Sequence, residues 1–502
     1  MGRFNLILFN PETLRSDAIA HAGNPASETP TLDRIARRDG VSFVNAFSQN
    51  PVCVPSRCSF MSGWYPHVHG HRTMFNLMSR DEPVLLRRLK DEGYFVWWGG
   101  KNDLIPGQNS LKSYCSFRHK VKNDVKPMFG VQDHELDELN PIPEMDRETG
   151  KDESEESYSF YVGKLDKGGE DVYYDSDWSA IDGAIDFIKT DPEKPFCIYL
   201  SLGFAHPPYA VEDPWYNMID RDKAPERKPT PDSWRDKPSI LKGIYERQNL
   251  QNLTEEQWRE LRATYLGMVA RVDHQFGKIV EVLKEMGMYE DTALFFFGDH
   301  GDFTGDYGLV EKTQNTFEDC LVNVPLVFKP PSSVDVEPGV REALVELVDI
   351  PATIEDLTNI EPQHTHFGKS FLPVVCGNTQ THKEVVFSEG GRLEGEEHCM
   401  ELESMASPKS LYWPRLSLQK KQPEHSKAVM VRTQRYKYVR RLYEKDELYD
   451  LEKDPEELEN RIDDPSLNDV QQKLRDELLT FFLKTGDVVP HETDERWGNQ
   501  RW

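Results

Sequence analysis

A long amphipathic helix followed directly by an apolar strand constrains the fold of this chain more than any other feature. Thr254 and Gln257 have the spacing of a capping box, and Gly287 is placed to end the helix. Between them, apolar residues recur at helical spacing: Trp258, Leu261, Tyr265, Met268, Val272, Phe276, Ile279 and Leu283. The run Thr292–Phe297 then follows as a buried strand. A helix that leads into a buried strand is typical of a parallel sheet with helices on both faces.

Earlier segments repeat this pattern. Apolar runs at residues 5–9, 94–98 and 196–202 predict further buried strands. Residues 31–38 predict a helix that ends at Gly40 in a left-handed cap. The predicted fold class is therefore α/β, with a mostly parallel sheet sandwiched by helices. Ligands of such sheets bind at the carboxyl ends of the strands, so the residues that follow each strand are candidates for function.

The chain is predicted to divide into two parts at about residue 384. Residues 1–383 form the expected catalytic α/β domain, with an insertion at about 105–175 whose acidic part, 144–158, lacks a periodic pattern. Residues 384–502 are expected to form a smaller α+β subdomain. Its antiparallel strands and covering helix are predicted at residues 428–433, 436–443, 447–450 and 467–483.

Charge and composition argue against several partners. The formal net charge of -27 repels nucleic acid and anionic lipid, and no run approaches the ~18 apolar residues of a membrane span. The first residues lack the apolar region of a signal peptide, and seven scattered cysteines do not read as a disulfide framework. We therefore expect a cytoplasmic protein. A homo-oligomer stays open, because the C-terminal tail is rich in Trp and Arg and could contact a neighbouring subunit.

Residues 53–63 carry the strongest functional signal. Pro55 suits the first turn of a helix and Gly63 its end, so Cys53 is expected at a helix N-terminus, where free N–H groups favour an anion. Arg57 lies one turn further on, so its guanidinium can return to the same place. The alternative interpretation is a short helix with two ordinary buried cysteines, and Cys58 is expected to belong to the core in either case.

The string CVPSRCSFMSG resembles the signature of the sulfatase family, within the alkaline phosphatase superfamily. The resemblance implies that a formylglycine-generating enzyme converts Cys53 to formylglycine, an aldehyde. One hydroxyl of the hydrated aldehyde then attacks sulfur and expels the alcohol, and the second hydroxyl loses its proton and releases sulfate. A serine could perform the first step but not this release.

A divalent metal belongs to the chemistry that the resemblance implies, because it lowers the pKa of the attacking hydroxyl. Asp299 and His300 follow the last predicted buried strand and match two metal ligands of the family. The family usually has two aspartates after its first strand, but this chain has Glu12 and Thr13 there. The expected ligands are Glu12, Cys53 in its modified form, Asp299 and His300. Ca²⁺ is the expected ion, Mg²⁺ is the alternative, and Asn10 is an alternative oxygen donor.

Further cations and bases follow the other strands. Lys101 and Lys312 match sulfate-binding lysines of the family, and His206 matches a histidine proposed to protonate the leaving alcohol. Asp103 stands where the family commonly has a histidine. It acts either as a base or as a partner that orients Lys101.

Three alternating histidines follow the signature helix. His67, His69 and His71 are predicted, together with Asn76, to contact the substrate at the rim of the site. Alternating histidines also occur in zinc sites, but no cysteine or carboxylate partner is visible at suitable spacing. His67 could instead only shape its loop.

The expected function is hydrolysis of an organic sulfate ester, with a sulfated mono- or oligosaccharide from glycosaminoglycan or mucin as the substrate. Phosphonate monoester and phosphodiester hydrolases are the first alternative, because a tetrahedral phosphorus centre fits the same cradle. Ser56, where those relatives often have alanine, favours sulfate. A non-catalytic anion-binding relative is the second alternative, suggested by Glu12, Thr13 and Asp103.

Overall fold

A mixed nine-stranded sheet lies at the centre of the computed structural model, which describes residues 4–121, 125–130, 160–193, 195–401 and 410–491. The strands are β1 (Asn5–Asn10), β2 (Val41–Phe47), β3 (Phe95–Gly100), β4 (Phe117–Arg118), β5 (Tyr161–Leu165), β6 (Phe196–Ser201), β7 (Tyr209–Glu212), β8 (Thr292–Phe297), β9 (Asn323–Lys329), β10 (Gly339–Arg341), β11 (Val345–Glu346), β12 (Val386–Gly390), β13 (Ala428–Arg432), β14 (Tyr436–Arg441) and β15 (Glu447–Asp450). The α-helices are Pro30–Arg34, Cys53–Ser62, Pro66–His69, Leu85–Asp91, Ser176–Lys189, Trp215–Met218, Ser239–Gln248, Glu255–Glu285, Asp319–Val322, Asp349–Thr358, Leu372–Val375, Trp413–Leu416 and Asn468–Thr485.

The order of the strands brings several carboxyl ends together. Across the large sheet the order is β10-β2-β9-β8-β1-β6-β3-β4, and β11 also pairs with β2. β1 is parallel to both β6 and β8, and β3 is parallel to β6, whereas β9 is antiparallel to β8 and β2. The carboxyl ends of β8, β1, β6 and β3 therefore meet at one end of the sheet. The predicted α/β fold class with a mostly parallel sheet is confirmed.

Helices cover both faces of this sheet. Phe9 of β1 packs on Phe276 of the helix Glu255–Glu285, with ring centroids 5.0 Å apart. Leu8, the preceding residue, belongs to the core on the opposite face, together with Phe60. Alternate side chains of β1 thus enter two cores, as expected for a strand buried on both sides.

The ends of the predicted helices agree with the structure in one case and differ in another. Thr254 and Gln257 form the expected capping box, and Gly287 adopts a left-handed conformation with φ 67°. The segment before Gly40 does end there, but φ at Gly40 is -164°, so the predicted left-handed cap is wrong. Glycine is required for another reason, because a Cβ atom would lie 2.2 Å from the carbonyl oxygen of Phe328.

A second, smaller sheet follows near the C-terminus. Its order is β12-β13-β14-β15, all antiparallel. Leu474, Leu478 and Phe481 of the helix Asn468–Thr485 pack against it. The predicted sheet and covering helix are present, and β12 is an additional strand that the sequence analysis missed.

Part of the predicted insertion can be described. Residues 131–159, which include the acidic stretch, lie outside the described residues. Within the described flanks, β5 pairs in parallel with β7, so this region contributes a strand that the sequence did not predict. Among the helices of the described ranges, none has the length and apolar character to cross a membrane.

A buried ion-pair network supports one of the strand ends. Arg271 lies 2.7 Å from Asp175 and 3.1 Å from Glu212, and all three side chains are fully buried. Asp177 accepts hydrogen bonds from two backbone N–H groups in the turn just before His206. Burial raises the pKa of Asp177 to about 7, and the nearby charge of Asp175 adds to this shift. The network therefore fixes the turn that carries His206.

The substitution Arg271→Met tests the energetic importance of this network. It leaves Asp175 and Glu212 buried without their cation, so we expect the free energy of unfolding to fall by about 3–5 kcal/mol. Chemical denaturation followed by circular dichroism measures the change. Lys278→Met is the control, because Lys278 pairs with Glu281 on the exposed surface. It should change stability by less than about 1 kcal/mol, and an equal loss in both variants would contradict this account.

Candidate active site

The ends of four neighbouring strands and one helix define the site. Glu12 follows β1, Lys101 follows β3 and His206 follows β6. Asp299 lies just beyond β8, and Cys53 begins the helix Cys53–Ser62. Because β8, β1, β6 and β3 are adjacent, these residues, far apart in sequence, meet at one end of the sheet.

The four predicted metal ligands form one cluster. Ligand atoms of Glu12, Cys53, Asp299 and His300 all lie within 4.8 Å of one another, and all four residues are buried. His300 Nδ1 lies 2.8 Å from its hydrogen-bond partner, the Gly301 carbonyl oxygen, so Nε2 faces the cluster, 3.1 Å from Cys53 Sγ. A carbonyl partner for the second ring nitrogen is typical of a metal-binding histidine.

Two neighbouring residues bear on how well a metal fits. The Thr13 hydroxyl is buried without a hydrogen-bond partner, while its backbone N–H donates to Asp299 Oδ1 at 3.0 Å. Thr13 therefore lies next to the cluster through its backbone. The Asn10 amide instead donates to the Phe297 carbonyl oxygen at 3.0 Å and accepts from Tyr199 at 3.4 Å. The donor set of two carboxylates and an imidazole fits a divalent cation.

The unmodified Cys53 thiol is a poor nucleophile in this environment. Its sulfur lies 2.7 Å from Glu12 Oε1, to which the thiol donates. Burial raises the pKa of Cys53 well above its ordinary value, and the charges of Glu12 and Asp299 add to the shift, although Lys312 and Lys101 oppose it. Since the thiolate is the reactive form of cysteine, this position favours chemistry other than direct thiolate attack.

Lys101 links two carboxylates at the entrance to the cluster. Its ammonium lies 2.6 Å from Glu12 Oε2 and 3.2 Å from Asp103 Oδ2, and a third of its side chain is exposed. Burial opposes ionisation of Glu12, but the charges of Lys101, Arg57 and Lys312 hold the pKa of that carboxyl well below its usual value. Of the two roles predicted for Asp103, this contact fits the one in which it orients Lys101.

Arg57 is directed at the end of β8. Its Nε and Nη2 atoms lie 3.0 and 2.8 Å from Asp299 Oδ2, and Nη1 donates to Ser201 Oγ at the end of β6. Ser56 Oγ donates to the Asp299 carbonyl oxygen at 2.6 Å. The side chain of Arg57 is completely buried. The signature helix is therefore fixed to Asp299 by two consecutive residues.

Lys312 and His206 form a second basic pair. Lys312 Nζ lies 2.8 Å from His206 Nε2, and His206 Nδ1 donates to the Pro207 carbonyl oxygen. Burial lowers the pKa of His206 to about 3, and the positive charge of Lys312 contributes to the shift. The imidazole is therefore neutral and accepts a hydrogen bond from the ammonium.

The histidines after the signature helix have partners of their own. His67 Nδ1 lies 2.6 Å from Glu389, while His69 and His71 lie 2.9 and 3.1 Å from Glu82. Asn76 accepts at its carbonyl oxygen from His71, at 2.6 Å. The sequence shows no carboxylate partner at a spacing suited to zinc, and the two glutamates that contact these histidines are brought to them by folding. These contacts are the structural, loop-shaping kind considered for His67.

Sequence reasoning missed two groups beside the basic pair. The ring of Tyr412 lies 5.9 Å from that of His206, although no local signal marks this tyrosine. Glu311 Oε1 lies 2.9 Å from Lys312 Nζ. Its position next to Lys312 in the sequence was visible, but its contacts with the C-terminal part of the chain were not.

Comparison with known proteins identifies the family. Residues 5–360, more than half of the chain, match the family model described as Sulfatase. The chain belongs to the sulfatase family. Residues 403–483 of this sulfatase also match a model described as N-sulphoglucosamine sulphohydrolase, C-terminal. The predicted family and the assignment as an enzyme, a sulfuric ester hydrolase, are thus confirmed.

Individual relatives of the sulfatase are distant in sequence. The multifunctional alkaline phosphatase superfamily protein PehA of Trinickia caryophylli is 24% identical, covering 97% of this chain and 96% of its own. The crystal structure of a phosphonate monoester hydrolase of Agrobacterium radiobacter has a TM-score of 0.71 at 19% identity, covering 98% of this chain and all of its own. A 2-O GAG sulfatase has a TM-score of 0.69 at 20% identity, covering 96% and 93%. These structures share the fold of this sulfatase.

The substitution Glu12→Gln tests whether the cluster binds a divalent metal. Removing this charge should weaken binding of Ca²⁺ or Mg²⁺ by more than about tenfold, because the ion then has Asp299 as its one carboxylate in the cluster. Isothermal titration of the metal-free protein measures the affinity. Glu82→Gln is the control, because Glu82 binds His69 and His71 outside the cluster. Unchanged affinity in Glu12→Gln would exclude this metal site.

The titration of His206 tests whether its imidazole is buried and neutral beside Lys312. Its pKa is expected near 3, since burial and Lys312 both disfavour the imidazolium. The unfolded chain binds this proton near pH ~6.5, so the neutral imidazole causes a loss of stability as the pH falls below that value. NMR of ¹⁵N-labelled histidine, assigned with His206→Gln, measures the titration. A midpoint between pH ~6 and ~7 would contradict the structure.

Proposed function

We propose that this sulfatase removes sulfate from a sulfated mono- or oligosaccharide, of the kind derived from glycosaminoglycan or mucin. One observation carries the proposal: the cluster of Glu12, Cys53, Asp299 and His300 is surrounded by three cations, Arg57, Lys101 and Lys312. Donors fixed around the cluster would stabilise the negative charge on the oxygens of the five-coordinate sulfur in the transition state. Each cation already has a carboxylate partner, so on a protein with a net charge of -27 the attraction for an anionic ester would come from these cations together with the proposed divalent metal.

The proposal includes a modified residue and a metal ion. Cys53, converted to formylglycine by a formylglycine-generating enzyme, would provide the attacking hydroxyl. Glu12, Asp299 and His300 would hold a divalent metal, which when bound would supply Lewis-acid chemistry to that hydroxyl and to the ester oxygens. Ca²⁺ is the proposed ion, Mg²⁺ is the alternative, and the imidazole of His300 also makes first-row transition metals worth testing.

The remaining residues have distinct proposed roles. Lys101 and Lys312 bind the ester oxygens, and Asp103 orients Lys101 through the 3.2 Å contact. Arg57 holds Asp299 in place. His206 and Lys312 lie together where the leaving alcohol departs, and their shared hydrogen bond provides a proton for it.

The fold does not distinguish a sulfate from a phosphonate substrate, so the side chains of the site must do so. The phosphonate monoester hydrolase and the 2-O GAG sulfatase resemble the chain about equally, with TM-scores of 0.71 and 0.69. Ser56 favours sulfate because the phosphonate relatives often have alanine at this position; its hydroxyl donates to the Asp299 carbonyl oxygen, a contact that alanine cannot make. The saccharide substrate is supported by the likeness to the 2-O GAG sulfatase.

Turnover of 4-nitrophenyl sulfate and 4-nitrophenyl phenylphosphonate distinguishes these two functions. The protein is co-expressed with a formylglycine-generating enzyme, and peptide mass spectrometry determines the aldehyde content. We expect sulfate turnover to exceed phosphonate turnover, and Cys53→Ala to lose at least about 10³-fold in kcat because the nucleophile is gone.

The matched control is Cys58→Ala. Cys58 is also buried in the helix Cys53–Ser62 but lies outside the cluster. This variant should keep kcat within about threefold, since it retains every cluster residue. Faster phosphonate turnover would assign the chain to the alternative hydrolase, and turnover in Cys53→Ala would exclude the proposed nucleophile.

A further inference from the structure

Buried charges extend from Lys312 into the C-terminal part of the chain. Lys312 Nζ lies 2.9 Å from Glu311 Oε1, and Arg415 Nε lies 3.2 Å from Glu311 Oε2. Arg415 Nη1 in turn lies 2.9 Å from Glu401 Oε2, which also accepts from Gln419 at 3.2 Å. All four charged side chains are at most 4% exposed. Positive and negative groups thus alternate from the site to the helix Trp413–Leu416.

From this arrangement we infer that Glu311 is a positioning residue, which holds the Lys312 ammonium against His206, and that Arg415 fixes Glu311 for this purpose. The inference rests on the proposed function of the Lys312–His206 pair. Glu311 acts through Lys312, so it need not contact the substrate.

The flexibility of lysine explains why such a partner is needed. A lysine side chain has four rotatable bonds and a compact charge, so its ammonium has no preferred direction of its own. Lys312 forms an ion pair with Glu311 on one side and donates a hydrogen bond to His206 on the other, so its ammonium is held between the two. Burial opposes ionisation of Lys312, but Glu311 raises its pKa above the ordinary value. The Glu311 carboxylate therefore holds the Lys312 ammonium in position and keeps it protonated.

Arg415 has the corresponding effect on Glu311. Burial would favour the neutral acid, but Lys312 and Arg415 lower the pKa of Glu311 to about 2. The backbone of Glu311 has φ 67°, a left-handed conformation that residues other than glycine rarely adopt. Its carbonyl oxygen accepts from the Phe303 backbone N–H at 3.0 Å. The residue is thus held from both sides in a demanding conformation, as expected where its side chain must point one way.

The substitution Glu311→Gln tests the inference with two sulfate esters. It keeps the shape of the side chain but leaves Lys312 and Arg415 as like charges on either side of a neutral amide. Cyclohexyl sulfate needs a proton on its departing alcohol, whereas 4-nitrophenolate leaves unprotonated. Because Lys312 also binds the ester oxygens, we expect both esters to lose activity, and we expect the loss in kcat to be at least about tenfold greater for cyclohexyl sulfate than for 4-nitrophenyl sulfate. A merely structural defect would lower both equally.

Glu447→Gln is the matched control for loss of a buried ion pair. Glu447 lies 2.6 Å from Arg441 within the small sheet, and both side chains are at most 4% exposed. The pair is separate from the charges of Lys312, Glu311, Arg415 and Glu401, although Arg441 also donates to the Asn315 carbonyl oxygen. This variant should keep wild-type kcat on both esters even where its melting temperature falls. Arg415→Met should repeat the leaving-group dependence of Glu311→Gln, and the double variant should be no worse than Glu311→Gln alone.

Crystal structures of wild type and Glu311→Gln decide the placement of Lys312 independently of turnover. A Lys312 ammonium that has moved out of hydrogen-bond reach of His206 supports the inference, and one that stays in place overturns it. Equal losses on both esters, or no loss, also overturn it. If wild type hydrolyses neither ester, the proposed function fails, while the comparison of the two crystal structures still tests the positioning by Glu311.

Discussion

The ion pair between Arg57 and Asp299 is the interaction on which the rest of the site depends. It joins the first turns of the helix Cys53–Ser62 to the end of β8, and both side chains are completely buried. A buried charge without a partner is strongly unfavourable, so neither residue can turn away without the other. Because Cys53 lies one turn before Arg57, this pair also determines where Cys53 meets Glu12 and His300.

The ions around this pair nearly balance one another. Lys101 lies between Glu12 and Asp103, and Lys312 lies beside Glu311, so each lysine has a carboxylate partner before any ester enters. Such pairing keeps cations charged and in place inside a protein that would otherwise expel or neutralise them. An incoming sulfate ester anion then meets an already ordered set of donors, which is the condition for electrostatic catalysis.

Local patterns predicted much of the fold and the centre of the site. Thr292–Phe297 is the observed β8 to the residue, because a continuous apolar run bounded by polar residues has few alternatives. Residues directly after strands, such as Asp299 and His206, could be placed because parallel strand ends converge. The conformation of Gly40 could not, since it depends on the approach of Phe328, nearly three hundred positions away.

The partners of the histidines and the Glu311 network were not predicted, and both have the same cause. Partners such as Glu389 for His67, or Arg415 for Glu311, are chosen by tertiary contacts that leave no periodic trace in the sequence. The periodicity of apolar residues predicts which face of a helix or strand is buried. It does not predict which charged residue from a distant part of the chain contacts that face. The division of the chain at about residue 384 and the identity of the metal stay predictions for the same reason.

The unusual residues of the metal cluster are the best evidence for a non-catalytic relative, and the geometry weakens that evidence. The longer side chain of Glu12 contacts both Cys53 and Lys101, so the substitution for aspartate keeps a carboxylate in the centre of the site. Thr13 lacks a charge, but its backbone N–H donates to Asp299 and its buried hydroxyl has no hydrogen-bond partner. A metal in such a site has one negative ligand fewer to neutralise it. It should be held less tightly, yet it retains more of its positive charge for the ester oxygens, which favours a weakly binding catalyst over an inert binder.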